Sequence, residues 1–269
     1  MNNDKQIDSI LKIIPDDYRK YITGLEIKTS VEGPQMLIFD LSRDQRMKFK
    51  RLAPLLEDGK SISFYVKHNS KFHHIGGEAY VFDKINNYNY NISPYSPIKT
   101  PKQSTFYRTI KNSSPKGTTR NAIIINTHNG LIPMHLSKLY NRLYCVDVAD
   151  IYSAEAKMNL KLNKINNCLL FSSHISKWLR EFEGYKYTPP GRKHKIGLIV
   201  CDAAMLTEES CSTILNIEPE TIILFSENEE TVNKMSKVFE AKEKHEKTYE
   251  SFVEGFHIRK IKRKEHAEL

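Results

Sequence analysis

The sequence predicts an α/β protein: a mostly parallel sheet covered on both faces, preceded by a small α+β unit. Three observations carry this. From Ala122 onward, short β-branched runs alternate with stretches of helical period, as in strands buried on both sides and joined by crossover helices. Before residue 93 the pattern is mixed, with strand-like runs around one basic helix. Between the two, Pro94, Pro97, Pro101 and Pro115 mark an irregular linker.

Ile7, Ile10, Leu11 and Ile14 recur at helical spacing and stop at Pro15. Residues 24–29 and 36–41 read as strands joined by a turn at Glu32-Gly33-Pro34. Residues 43–56 read as a helix carrying Arg46, Lys48, Lys50 and Arg51. Residues 61–67 and 78–92 are again strand-like, with Gly76-Gly77 marking a turn or bulge. A helix is expected inside the linker near residues 106–111. Beyond it, strands are expected at 122–125, 143–148, 168–171, 196–201 and 221–225, separated by helices at 132–139, 153–162, 175–182, 208–215 and 231–239. Residues 183–195 read as a loop and 256–262 as an antiparallel edge strand. The chain thus divides into 1–92, a small α+β unit; 93–120, a basic linker; and 121–269, the α/β domain.

Charge is the informative part of the composition. Forty-one Lys and Arg face 32 Asp and Glu, a net charge of +9, and the excess is unevenly placed. From Lys84 to Val146 there is no acid, while Lys99, Lys102, Arg108, Lys111, Lys138 and Arg142 are basic. Tyr88, Tyr90, Tyr95, Phe106 and Tyr107 are interleaved with them. Cations attract phosphates and aromatic rings stack on unpaired bases, so a nucleic-acid partner is expected. No apolar run approaches the roughly 20 residues of a membrane helix. The first residues carry early acids and no basic segment leading into an apolar stretch, so a cytoplasmic protein is expected. Cys145, Cys168, Cys201 and Cys211 lack zinc-finger or redox spacing and read as small buried hydrophobes. His73, His74, His128, His135 and His174 lack ligand spacing, and no metal is expected.

In an open α/β sheet, ligands sit beyond the C-terminal ends of the strands. Those ends are Asn126-Thr127-His128-Asn129-Gly130, Asp147, Asp202 and Ser226-Glu227-Asn228. Asp147 could accept hydrogen bonds from a ribose diol or cap the next helix, and Asp202 could cap likewise; the residues alone leave both open.

Here a family resemblance enters. The segment 142–149 (Arg-Leu-Tyr-Cys-Val-Asp-Val-Ala), followed by Ala156, Asn159 and Asn163 in an A-x-x-N-x-x-x-N pattern, resembles class I S-adenosylmethionine methyltransferases. It is most similar to the RNA uracil-5-methyltransferase family, in its tRNA branch. Ile199 to Met205 stands where that family has a strand ending in D-P-P-R. Pro219 to Thr231 stands at its P-x-x-I-x-Y-x-S-C-N-P-x-T, and Gly77-Glu78-Ala79-Tyr80-Val81 resembles a turn before its linker. The resemblance implies a Rossmann-like class I methyltransferase domain behind a small N-terminal domain.

The departures bear on chemistry. Uracil C5 becomes nucleophilic only after a thiolate adds to C6, and a base must then remove the C5 proton. The family's cysteine falls on Glu227 and its second acid on Arg259. The only thiol next to an acid at a strand end is Cys201, which precedes Asp202 and is expected to point into the sheet. Its glycine-rich loop reads His128-Asn129-Gly130, and its cofactor-binding glutamine falls on Thr100. The resemblance therefore implies a degenerate member, a pseudoenzyme with no catalytic residue beyond a vestigial Asp202. Its cofactor site of Asn129, Gly130, Asp147 and Thr100 would bind S-adenosylmethionine weakly or not at all. The expected function is an RNA-binding or scaffolding subunit holding a tRNA-like or rRNA partner through Arg46, Lys48, Lys50, Arg51, Lys99, Lys102 and Arg108. The alternatives are an S-adenosylmethionine-dependent RNA methyltransferase of altered chemistry, or a structural component of a ribonucleoprotein or protein complex.

Overall fold

A computed structural model describes residues 3–30, 33–56, 61–96, 104–115, 120–127, 129–184, 195–241 and 245–264. The chain divides into two compact units, Met1–Lys102 and Gln103–Leu269.

The first unit begins with α1 (Asn3–Ile13) and the single turn α2 (Asp16–Arg19), then β1 (Ile22–Thr29) and β2 (Gln35–Leu41). After α3 (Arg46–Leu52) and a 3-10 turn at Ala53–Leu55 come β3 (Ser61–His68), β4 (Lys71–Gly77), β5 (Val81–Ile85) and β6 (Tyr88–Ile92). The main sheet runs β1-β2-β3-β4, and β5 and β6 form a separate hairpin. β2 and β3 are parallel and the other pairs antiparallel, so α3 is the crossover between β2 and β3. Its Phe49 and Leu52 bury against Leu37, Phe39, Val66 and Ile75 of the sheet. Each such burial contributes about 1.5–3 kcal/mol.

Three expectations for this unit need correction. The basic helix is shorter than 43–56, because Pro54 has no N–H to donate and tightens the chain into the 3-10 turn. The strand-like run 78–92 is two strands, folded back at Asn86, whose φ of +56° an asparagine tolerates. β4 is an addition to the expected elements: its Lys-Phe-His-His-Ile-Gly-Gly sequence has no clean alternation.

Lys28 ties β1 to the chain that leaves β6. Buried at 6% exposure, its ammonium donates to the carbonyls of Ser93 (3.3 Å), Pro94 (2.8 Å) and Ser96 and pairs with Glu26 at 3.3 Å.

The second unit opens with α4 (Ser104–Ser113) and continues with β7 (Asn121–Ile125), α5 (Leu131–Leu136), β8 (Arg142–Asp147) and α6 (Asp150–Leu162). Then come β9 (Cys168–Ser172), α7 (Ile175–Glu183), β10 (Ile196–Asp202), a 3-10 turn at Ala203–Met205 and α8 (Glu208–Ile217). β11 (Thr221–Ser226), α9 (Glu229–Glu240), β12 (His245–Val253) and β13 (Phe256–Arg263) complete it. The seven-stranded sheet has the order β12-β13-β11-β10-β7-β8-β9. β7 to β11 are parallel, whereas β13 runs antiparallel to β11 and β12 antiparallel to β13. Strand order reverses between β7 and β10, which places the switch point there. The expected edge strand 256–262 is therefore internal: β12 lies outside it and is mostly exposed. One core packs Ile123, Ile125, Ile199 and Leu224 of the sheet against Trp178 and Phe182 of α7 and Phe239 of α9. Trp178 and Phe182 stack with centroids 5.0 Å apart. The expected loop 183–195 lies largely outside the described residues.

Removing the Lys28 donor strands buried carbonyls. Lys28→Met should cost roughly 2–3 kcal/mol, read as faster hydrogen exchange of the β1 and β2 amides with those of β7 and β10 unchanged. Equal exchange rates in the variant and the parent would show that the clamp contributes nothing.

Candidate functional site

The loop after β7 occupies the switch point and makes an unusual backbone path. Asn126, Asn129 and Gly130 all have positive φ, at +66°, +59° and +85°. Asparagine and glycine are the residues that enter this region at low cost. Each is fixed from outside the loop. The Asn126 amide nitrogen donates to Asp202 Oδ2 at 2.9 Å, joining the ends of the neighbouring strands β7 and β10. The Asn129 carbonyl accepts from Asn159 of α6 at 2.9 Å. Gly130 lies so close to α6 that a Cβ there would sit 3.1 Å from the Ala156 Cα.

Asp147 holds the middle of the loop. Only 2% exposed, it accepts from the Thr127 backbone N–H at 2.9 Å on one oxygen and from Thr127 Oγ1 at 2.6 Å on the other. It does not cap α6, whose N-cap is Ala149 with no side-chain bond. Burial raises its carboxyl above the usual aspartate range, and the two Thr127 hydrogen bonds pull it partly back. Asp202 is raised too, first by burial and to a smaller extent by the charge of the exposed Glu227. Its Oδ1 accepts from Ala204 N at 3.0 Å, capping the 3-10 turn. Asn228 caps α9 through the Thr231 N–H, so Glu227 sits immediately before a helix start.

The other predicted residues are spread more widely. Arg259 lies on β13 opposite Leu224 and pairs with Glu250 of β12 at 2.8 Å. Cys201 and Cys211 are in the core, Cys145 is buried within β8, and Cys168 begins β9 at the opposite edge of the sheet. Burial pushes the Cys145 and Cys201 thiols well above their ordinary range and Cys211 up to about 12. Arg108 is exposed on α4. In the first unit, Arg46, Lys48 and Lys50 line a groove of about 820 Å³ between α3 and β4. Thr100, His128, Lys99 and Lys102 lie outside the described residues. Among the described residues, no three His, Cys, Asp or Glu side chains converge as a metal site would. Sequence reasoning missed the parts played by Thr127 and Asn126. Contacts separated by 20 and 76 residues leave no local signal.

No protein-family model and no curated protein matches this sequence. Solved structures do. A tRNA (uracil-54, C5)-methyltransferase of Pyrococcus abyssi, in complex with S-adenosyl-L-homocysteine, is 13% identical with a TM-score of 0.64. The match covers 90% of this chain but 59% of that one, so the chain spans under two thirds of that protein's length. A tRNA m1G37 methyltransferase of M. jannaschii is 15% identical, TM-score 0.56, covering 95% and 78% of the two chains. The complex of aTrm5 with tRNALeu gives 15%, 0.56, 94% and 76%. Together with the strand order, this defines the second unit as a class I methyltransferase fold, Rossmann-like, in a chain of mixed α/β class.

That fold implies S-adenosylmethionine, and the strand-end residues can be tested against it. Asn129 is 2% exposed and its side-chain amide has no hydrogen-bond partner among the described residues, so it could serve a ligand. Asp147 does not fit: both its oxygens are engaged by Thr127 and almost none of it reaches solvent. As folded, Asp147 therefore presents little of its carboxylate to a ribose.

Because the Asp147 carboxyl sits above 3.8 in the folded chain, the stability tied to it is full below that pH and lost as pH rises through the folded value. Thr127→Val removes a donor that lowers it. The variant's carboxyl resonance should titrate higher still, widening that window upward, and about 1.5–3 kcal/mol should be lost at neutral pH. An unchanged titration would mean that Thr127 does not hold the carboxylate.

Proposed function

We propose that this chain is an RNA-binding protein built on the methyltransferase fold, one that does not form 5-methyluridine and serves as an RNA-binding or scaffolding subunit in the cytoplasm. The observation that carries the catalytic half is the whereabouts of the thiols: the sequence has four cysteines, and three are buried while the fourth starts β9, far from the strand ends that bear Asp202. Without a thiolate there, uracil C6 has no nucleophile to accept. Glu227 and the ion-paired Arg259 stand at the positions that resemble the family's nucleophile and base. S-adenosylmethionine, on this reading, binds weakly or not at all, since Asp147 is spent on Thr127.

The RNA half rests on charge and on the neighbours. The structural neighbours include tRNA methyltransferases and one complex with tRNA. The acid-free run from Lys84 to Val146 and the cations of α3 supply the positive surface. We assign 1–92 to an RNA-binding-type unit, 93–120 to a basic linker and 121–269 to the methyltransferase-like domain. Among the described residues no helix is long and apolar enough to cross a membrane.

Incubation with unmodified tRNA and labelled S-adenosylmethionine, followed by nucleoside digestion, should yield no 5-methyluridine. Stoichiometric product that disappears in Asp202→Ala would overturn the non-catalytic reading and favour an enzyme.

Binding to folded RNA should weaken steeply with salt. Six phosphate contacts imply a slope of about −4 to −5 in log affinity against log salt. Neutralising Lys99, Lys102 and Arg108 should flatten it by roughly two to three units. The same change at Lys234, Lys237 and Lys242, which stand among acids in and after α9, should matter little. Equal losses from both sets would argue against RNA and for an acidic protein partner.

A further inference from the structure

We infer that β9 pairs with the β9 of a second copy of this chain, antiparallel and about a two-fold axis at Leu170, so that one sheet runs through both copies. The inference is independent of the RNA reading.

Among the described residues, β9 is the outermost strand at one end of the seven-stranded sheet and β12 at the other. The two edges differ in chemistry. β12 carries Glu246, Lys247 and Glu250, and its register shifts between Lys247 and Tyr249. Charges and bulges of this kind blunt an edge against further pairing. β9, Cys-Leu-Leu-Phe-Ser, has no charge, no proline and no shift in register. The other parallel strands, β7, β8, β10 and β11, are apolar runs buried throughout or at all but an end residue. β9 is the same kind of run, yet none of its residues is buried, and Leu169 is 40% exposed. Such composition goes with burial, and a single copy does not supply it.

The backbone selects a second copy of this strand as the occupant. The Leu143 N–H donates to the Asn167 carbonyl at 2.9 Å and the Ser173 N–H to the Asp147 carbonyl at 3.0 Å. Odd-numbered residues along β9 therefore turn their polar groups to β8, and Cys168, Leu170 and Ser172 turn theirs outward. In an antiparallel pair, outward residues must meet outward residues to exchange both hydrogen bonds. The self-pairing that uses all three sets Leu170 against Leu170 and Cys168 against Ser172. It also sets Leu169 against Phe171, twice. Phe171 packs on the core beside Trp178, ring centroids 5.3 Å apart, so the two Leu169–Phe171 pairs extend that apolar face across the axis. The Leu170 pair does the same on the opposite face, and no charge is buried. A polar or charged foreign strand would gain the hydrogen bonds and none of these contacts.

Sedimentation of the full chain should give a dimer. Leu169→Lys places a cation at an exposed edge position, which a single copy tolerates, and should weaken the dimer about tenfold or more. Phe252→Lys, on the exposed β12, should leave it unchanged. Circular dichroism matching the parent's shows that both variants are folded. The register is read by cross-linking with oxidised glutathione, each protein disulfide releasing two reduced glutathione molecules. In a Cys168→Ser background, Leu170→Cys should give a covalent dimer, because a hydrogen-bonded pair holds its Cα atoms about 5.5 Å apart, within reach of a disulfide. Leu169→Cys in the same background should not, since its two copies lie about 7–8 Å apart on the diagonal. A monomer throughout the soluble concentration range, a dimer that withstands Leu169→Lys, or a failure to cross-link at 170 would each overturn the pairing.

Discussion

The second unit turns on the five residues from Asn126 to Gly130 and on the groups that hold them. Of the four described, Asn126, Asn129 and Gly130 have a left-handed backbone, a conformation that costs asparagine little and that within the loop is supported by the Gly130 N–H donating to the Thr127 carbonyl at 3.1 Å. Further support comes from elsewhere in the sheet and from α6: Asp202 accepts from the Asn126 amide, Asp147 accepts from both Thr127 donors, Asn159 donates to the Asn129 carbonyl, and Ala156 packs on Gly130. The loop that would cradle a ligand in a nucleotide-binding fold is here cradled by protein. Asp147 shows the direction of the trade. A buried carboxylate is costly unless it is hydrogen-bonded, and Thr127 meets that need from within the chain.

Asp202 obeys the same logic at the neighbouring strand end. Its two oxygens are divided between Asn126 and the Ala204 N–H, so it both joins β10 to β7 and starts the 3-10 turn. Glu227 adds negative charge nearby and raises the Asp202 carboxyl further. Asp202 ends β10 and Glu227 follows β11, so two neighbouring strand ends carry acids.

Much of this architecture was legible in the sequence, and the exceptions have physical causes. The parallel strands were readable because burial on both faces selects unbroken β-branched runs such as Ala122-Ile123-Ile124-Ile125 and Thr221-Ile222-Ile223-Leu224. β12 was not: His-Glu-Lys-Thr-Tyr-Glu-Ser-Phe-Val buries no continuous face, as befits an edge strand studded with charge. Taking β13 for the edge is the direct consequence of missing β12. β4 hid for a related reason, its outer position letting two histidines and two glycines stand where a central strand would carry apolar residues. At the site, the strand-end acids were visible because strand ends are, but not the groups they bind. Asp147 looked equally suited to a ribose or a helix cap; it does not cap α6 and instead holds Thr127, 20 residues upstream.

Fold and chemistry are separable in this chain because they use different rows of the same strands. Ile125, Cys201 and Leu224 belong to the core, and Asn126, Asp202 and Glu227 lie at or beyond the ends of those strands. Burial of the core row, at about 1.5–3 kcal/mol for each large side chain, does not depend on the residues just past it. The exposed residue at 227, just past the end of β11, can therefore vary without disturbing the sheet. The converse holds for Lys50 and Arg51. With no ion pair among the described residues, these exposed cations contribute little to the first unit's stability, and like charges on adjacent residues of a short helix repel.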